Sequence, residues 1–343
     1  MARTAMLRLL LRTSIRLVAA PLASSSFFQR RAMSSSYTLT SYLVTPAELS
    51  DALKKNVGSR LSTAPRVIPV CGTWFLPNDP EKRTGWQTFK ECRIPKARFF
   101  DLDAVKDQNS PYPHMLPSNE GFAKALGQLG IRRDDSVVVY DSKEQGIFSA
   151  PRVAWTLKAF GHQNVHILNN FKRWVEEGYE TEWGEPDKVE EVEYPVSELD
   201  RSKVVDFEQV KEIAKKQGES GKADIQILDA RSKGRWEGKE PEPRPGLSSG
   251  HIPSSTSVPV PELLHPKTKT FLPAAELKKI LEAKGIDPSK PVISSCGTGV
   301  TAAVIDAALA EAGFPEETRQ VYDGSWTEWA QRVKPEEGLI VKV

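Results

Sequence analysis

Cys296 stands in the stretch Val292-Ile293-Ser294-Ser295-Cys296-Gly297-Thr298-Gly299-Val300-Thr301-Ala302, whose residue types and spacing can do chemistry. The short β-branched run reads as the end of a buried strand, Gly297 and Gly299 permit a tight curl, and Thr301 to Ala312 reads as a nearly all-apolar helix. Cys296 is therefore predicted in a strand-to-helix loop. In such a loop backbone N–H groups converge, and the positive end of the helix dipole favours an anion. A cysteine placed there is expected as the thiolate, the nucleophilic form of the side chain. The plainer reading is a small buried hydrophobe. Glycine on both sides of position 298 argues against it, because glycine exposes backbone instead of packing a side chain.

The elements that must hold this loop follow from the patterning of the rest of the chain. Thr45-Pro46-Ala47-Glu48 is a capping box with proline at the first helical position, predicting a helix to about Lys55. Arg66 to Val70 reads as a strand, Ser118 caps a helix ending near Gly130, and Val137 to Tyr140 is a second strand. Ser149 to Phe160 then reads as a helix and Val165 to Leu168 as a strand. This alternation predicts an α/β fold, a parallel sheet with helices on both faces. After Trp174 the chain turns acidic and loses periodicity, and residues 184–203 are read as a linker between a domain at 41–183 and a second at 204–338. From Val204 the pattern begins again: Asp206 caps a helix to Lys216, Ile225 to Leu228 is a strand, Pro273 to Lys284 a helix and Val292 to Ser294 a strand.

The two halves also correspond residue by residue. Ile94-Pro95 answers Ile252-Pro253 at an offset of 158; Val139-Tyr140-Asp141 answers Ser294-Ser295-Cys296, and Trp174 answers Trp329, both at 155. Asp141 thus occupies the place of Cys296, in a loop three residues longer counted to Gly161 and Gly313 respectively. A carboxylate cannot carry sulfur as a thiolate can. The first domain is accordingly expected to be a scaffold walling a cleft, and the second to be the catalyst.

Composition narrows the function. At 343 residues and 39% hydrophobic content the chain can bury a large core. Its three cysteines, Cys71, Cys92 and Cys296, form no C-x-x-C pair, and its five histidines are scattered, so neither a disulfide framework nor a metal centre is expected. Residues 1–33 read as a mitochondrial transit peptide: Arg3, Arg8, Arg12, Arg16, Arg30 and Arg31 lie among Ser, Leu and Ala, with no acidic residue before Glu48. A start at Met33 would give a shorter, cytosolic product. The arginines interrupt each apolar run well short of a membrane span. Without those six arginines 41 basic side chains face 45 acidic ones, which gives no basis for binding nucleic acid.

The string Cys296-Gly297-Thr298-Gly299-Val300-Thr301-Ala302 resembles the active loop of the two-domain, rhodanese-like sulfurtransferases. The resemblance runs over roughly residues 65 to 335. Within the family, a glycine after the cysteine, then a hydroxyl residue and Gly-Val-Thr, is similar to the mercaptopyruvate-using branch, although Thr298 stands where serine is usual. What the resemblance implies is a pair of rhodanese-like domains and transfer of sulfur from 3-mercaptopyruvate to Cys296 as a persulfide. Pyruvate would leave, and a thiol acceptor such as thioredoxin or a small dithiol, or cyanide, would then take the sulfur, with no cofactor. Arg235 and Arg244 match the family's carboxylate-binding arginines, a task suited to a guanidinium fork. Gly297, Gly299, Val300 and Thr301 complete the substrate loop. Asp103 and Thr298 match positions that handle protons around the cysteine, with His114 close by. Cys71, Arg93 and Leu168-Asn169-Asn170 depart from the family pattern, all in the first half.

Three other readings are weighed against this one. A thiosulfate:cyanide sulfurtransferase shares fold and nucleophile but calls for cations at positions 297 and 298, where Gly297 and Thr298 stand. A phosphatase of the C-x5-R type needs arginine at position 302, which is Ala302. A non-catalytic rhodanese module that binds partners or senses oxidants would lack the cysteine or the arginines.

Overall fold

The computed structural model describes residues 39–56, 63–220 and 224–343, with the side chains of 218–220 excepted. The expected transit peptide lies outside the described residues. The first half contains β1 (Leu43–Val44), α1 (Pro46–Lys54), β2 (Val67–Cys71), α2 (Gly85–Glu91), β3 (Arg98–Phe99), α3 (Asn119–Gln128), β4 (Ser136–Tyr140), α4 (Ala150–Ala159), β5 (Val165–Leu168) and α5 (Phe171–Glu176). The second repeats it with β6 (Val204–Val205), α6 (Phe207–Ser220), β7 (Gln226–Asp229), α7 (Lys233–Glu237), β8 (Ser255–Ser257), α8 (Ala274–Ala283), β9 (Val292–Ser295), α9 (Ala302–Glu311), β10 (Arg319–Tyr322) and α10 (Ser325–Arg332).

Among the described residues the strands form two five-stranded parallel sheets, ordered β1-β5-β4-β2-β3 and β6-β10-β9-β7-β8. The orders are the same, element for element. The offsets read from sequence recur as hydrogen bonds. Ala97 N–H donates to Ile94 O as Ser255 N–H does to Ile252 O, and Gly72 N–H donates to Tyr140 O as Ala230 N–H does to Ser295 O. Cys71 is thereby the counterpart of Asp229, and Asn170 of Ser325; the last two share a positive φ, 80° and 49°.

The sequence sets the local elements. Thr45 and Glu48 form the capping box, with Pro46 at the helix start. Helix α2, which the sequence reading does not anticipate, is started by a second capping box between Thr84 and Gln87. Strands β4 and β9 are buried along their whole length, as parallel strands covered on both faces must be.

Helix α9 is apolar but for Asp306, which pairs with Arg319, and Glu311 at its end, and it is buried from Ala302 to Leu309. Its partner is α4. Ala150, Val153, Ala154 and Leu157 join Ala302, Ala303, Val304 and Ile305 in one hydrophobic cluster spanning both halves. Two side chains at the departures from family pattern also reach across: Asn169 Oδ1 accepts from Phe271 N–H at 2.9 Å, and Asn170 Nδ2 donates to Thr268 O at 2.6 Å. The acidic stretch after Trp183 lies along the first half, where Val192 N–H donates to Gly127 O and the Tyr194 hydroxyl contacts His162 and Arg133. No helix among the described residues is long and apolar enough to cross a membrane.

Candidate active site

Cys296 directly follows β9 and is 1% exposed. Its N–H donates to Ser325 Oγ at 3.1 Å, while the carbonyls of Cys296 and Gly297 accept from Trp326 and Thr327 N–H at 2.9 Å each. The first turn of α10 therefore fixes the outer edge of the loop. On the loop itself the N–H groups of residues 297 to 301 have no acceptor among the described residues. Five consecutive unengaged donors beside a sulfur at a helix start make a site where negative charge is welcome. Gly299 lets the loop turn, with φ +75°; a Cβ there would lie 2.5 Å from Asp323 O.

A cavity of about 440 Å3 opens on this loop. The second half contributes Cys296, Gly297, Thr298, Val300 and Thr301 to its wall together with Arg235 and Arg244; the first half contributes Trp74, Leu76 and Phe148. One wall is cationic and the other apolar. Gly299, Asp103 and His114 do not reach the wall.

The two arginines differ in what holds them. Arg235 is paired with Glu242, Nη2 to Oε2 at 2.5 Å, and Glu242 also binds the buried Arg231 at 2.6 Å. Arg231 is fixed in turn by Asp229 and by the Gly250 carbonyl, so a line of alternating charge runs from the end of β7 into the cavity. The neighbouring surface charges go elsewhere: Lys239 pairs with Glu237, and Ser232 Oγ donates to Glu240. Arg244 has no ion pair or hydrogen bond among the described residues. Burial lowers its pKa. A half-buried cation without a partner, facing a cavity, is a receptor for an anion.

His114 is buried, and its Nε2 lies 3.1 Å from Asp103 Oδ1 and its Nδ1 3.1 Å from Thr298 Oγ1. Burial lowers the His114 pKa against the opposing pull of Asp103, and hydrogen bonding to His114 lowers that of Asp103. The pair is therefore a neutral imidazole beside a carboxylate. Because the carboxylate only accepts, Nε2 carries the proton and Nδ1 accepts from the Thr298 hydroxyl. Trp74 Nε1 donates to the other Asp103 oxygen at 3.0 Å, and its ring meets His114 edge-on. The line from Asp103 to Thr298 crosses from the first half to the second.

Four contributors escaped the reading from sequence. Trp74, Asp323 and Arg152 act through partners distant in the chain, and Glu242 through Arg231 and Arg235, 11 and 7 residues away. Arg152 alone left a trace, as a charge within the otherwise apolar Ala150-Pro151-Arg152-Val153-Ala154-Trp155. Ser325 Oγ donates to Tyr322 O and accepts from Cys296 N–H.

The profile of the Rhodanese-like domain matches residues 81–177 and 209–332, one match on each sheet. The chain belongs to the rhodanese family. It is 40% identical over 279 residues to a probable 3-mercaptopyruvate sulfurtransferase of Schizosaccharomyces pombe, covering 81% of this chain and 91% of the relative. It is 43% identical over 286 residues to a thiosulfate sulfurtransferase of Saccharomyces cerevisiae, covering 79% and 90%. A solved structure, the sulfur transferase subunit of yeast mitochondrial complex I, superposes with a TM-score of 0.76 at 38% identity, covering 88% of this chain and 99% of that one. The chain is a sulfurtransferase of the mercaptopyruvate and thiosulfate group.

Proposed function

We propose that this protein transfers sulfur from 3-mercaptopyruvate to Cys296 and from the Cys296 persulfide to a thiol acceptor or cyanide. The observation that carries the reading is Cys296, buried in a loop of unengaged N–H groups and facing a cavity with the unpaired Arg244. Arg244 and the Glu242-held Arg235 grip the donor carboxylate, leaving its sulfur at the cysteine. The thiolate attacks that sulfur, an S–S bond forms, and the C–S bond breaks. Its electron pair passes to the carbon that becomes the methyl group of pyruvate, which takes up the proton the donor thiol gave up. Thr298, His114 and Asp103 form the path by which that proton moves, and the loop N–H groups stabilise the persulfide anion.

Thiosulfate is the rival donor, and the Saccharomyces cerevisiae relative bears that name. The neutral Gly297 and Thr298 favour mercaptopyruvate, since a second anionic group on the donor would find no cation on the loop. Comparing pyruvate release from mercaptopyruvate with thiocyanate formation from thiosulfate and cyanide tests this. The expected result is a higher kcat/KM for mercaptopyruvate; a higher value for thiosulfate overturns the donor assignment. Thioredoxin or a small dithiol is the proposed acceptor. A mitochondrial location is proposed from the arginine-rich residues 1–33, supported by the yeast mitochondrial relative. Import of a reporter fused to this segment checks it, with a chain begun at Met33 expected to stay in the cytosol.

A further inference from the structure

Arg152 is 1% exposed, lies on α4 of the first half, and donates to three loop segments. Its Nη2 donates to Asp323 Oδ1 and to the His114 carbonyl, both at 2.6 Å, and its Nη1 donates to the Gly299 carbonyl at 3.3 Å. Asp323 in turn accepts from Leu116 N–H at 2.8 Å through its second oxygen. One guanidinium and one carboxylate therefore join residues 114–116 of the first half to residues 299 and 323 of the second. His114 has a φ of +62°, a conformation that a non-glycine residue keeps only when its surroundings hold it. Its carbonyl is among the groups Arg152 grips.

A buried ion pair is a poor adhesive. Well-packed apolar side chains usually stabilise as much, because the charges must first be stripped of water. Here the cost is raised further, since Arg152 Nε is buried without a partner among the described residues. What the pair supplies is distance and direction. A planar fork that reaches the carbonyls of both 114 and 299 fixes the separation of two loops, and those same loops meet at His114 Nδ1 and Thr298 Oγ1. Gly299 sits directly on the pair, for a Cβ there would come within 2.8 Å of Arg152 Nη1.

We propose that Arg152, together with Asp323, is a positioning residue for sulfur transfer, registering His114 of the first half against Thr298 in the Cys296 loop. The proposal rests on the reading of Asp103, His114 and Thr298 as the proton path. Arg152 does not line the cavity, so it acts on the relay and leaves donor binding alone.

The test is a double-mutant cycle. Arg152→Lys keeps the charge but cannot span three acceptors, and is expected to lower kcat for mercaptopyruvate about 10- to 100-fold with KM within about twofold. In a Thr298→Val background the same substitution is expected to cost less than about threefold, because the contact it positions is already gone. Asp323→Asn is carried through the same cycle and keeps the test decisive should Arg152→Lys fail to fold. Full additivity overturns the proposal, as does a lowered melting temperature with unchanged kcat or a raised KM with unchanged kcat. A wild-type kcat for Thr298→Val alone would instead overturn the proton path itself, an outcome separable from the others.

Discussion

Residues 141–150 and 296–302 connect the same strand to the same helix in the two halves, and they treat the helix start in opposite ways. In the first half Asp141 places its carboxylate over the beginning of α4, accepting from the N–H groups of Phe148, Ser149 and Ala150 and from the Ser149 hydroxyl at 2.5 to 3.0 Å. In the second half Cys296 leaves the N–H groups of its shorter loop unengaged. Eight residues lie between Asp141 and Ala150, against five between Cys296 and Ala302, and the extra length lets the chain fold back over its own acid. One loop has supplied its own anion; the other is built to receive one. A fold repeated in tandem can thus keep one copy reactive and convert the other to structure by changing a single side chain and a loop length.

The sharpest way to break this comparison is to remove the sulfur. Cys296→Ser is expected to lower turnover by about 10^4-fold or more while the circular dichroism spectrum and melting temperature stay near wild type. Mass spectrometry of donor-treated wild-type protein is expected to find the added sulfur on Cys296. Cys71 lies at the end of the equivalent first-half sheet, yet burial pushes its thiol up to about 12, and it is expected to stay unmodified. Sulfur recovered on Cys71 would erase the distinction between the halves.

A second test concerns the cationic wall that only the second half provides. Arg244→Ala and Arg235→Ala should each lower kcat/KM for mercaptopyruvate about 10- to 100-fold, corresponding to a charged hydrogen bond worth about 1.5 to 3 kcal/mol. Alkylation of Cys296 by a small neutral reagent is expected to proceed at the wild-type rate in both. Arg235→Ala also leaves Glu242 short of one partner, so the kinetics are read on protein of verified fold.

Asp141→Ala examines the other side of the comparison. It strips a buried helix start of its acceptor and is expected to destabilise the protein by about 2 to 3 kcal/mol in urea unfolding, while kcat per folded molecule stays within about twofold. A comparable loss of kcat would mean that the first loop does more than support.

The smallest expected effect is on pH dependence, and it belongs to both halves. Burial lowers the pKa of His114, His162, His166 and His251 below the ordinary imidazole value. The unfolded chain binds protons at these sites at a pH where the folded chain refuses them, so stability rises with pH through that range. Melting temperature is expected to fall as the pH is lowered from about 7 to about 5. His114→Gln should flatten that slope, because one refused proton is removed.

The sequence alone determined what local rules can determine. The capping box at Thr45, the β-branched run before Cys296 and the apolar run after it are read over a few neighbouring residues, since backbone conformation and strand or helix periodicity act at that range. The repeat offsets extended this to the whole chain, so the paired α/β sheets and the substitution of Asp141 for Cys296 were both legible. Helix α2 was missed because a charged approach, Glu81-Lys82-Arg83, masked the capping box at Thr84. Only tertiary structure decided who serves the loop. Arg152 meets Asp323 and Trp74 meets Asp103, and nothing in residue type marks these partners out. A buried charge must find a partner wherever packing supplies one, and packing here is set by α4 against α9, so the choice lies in three dimensions and not along the chain.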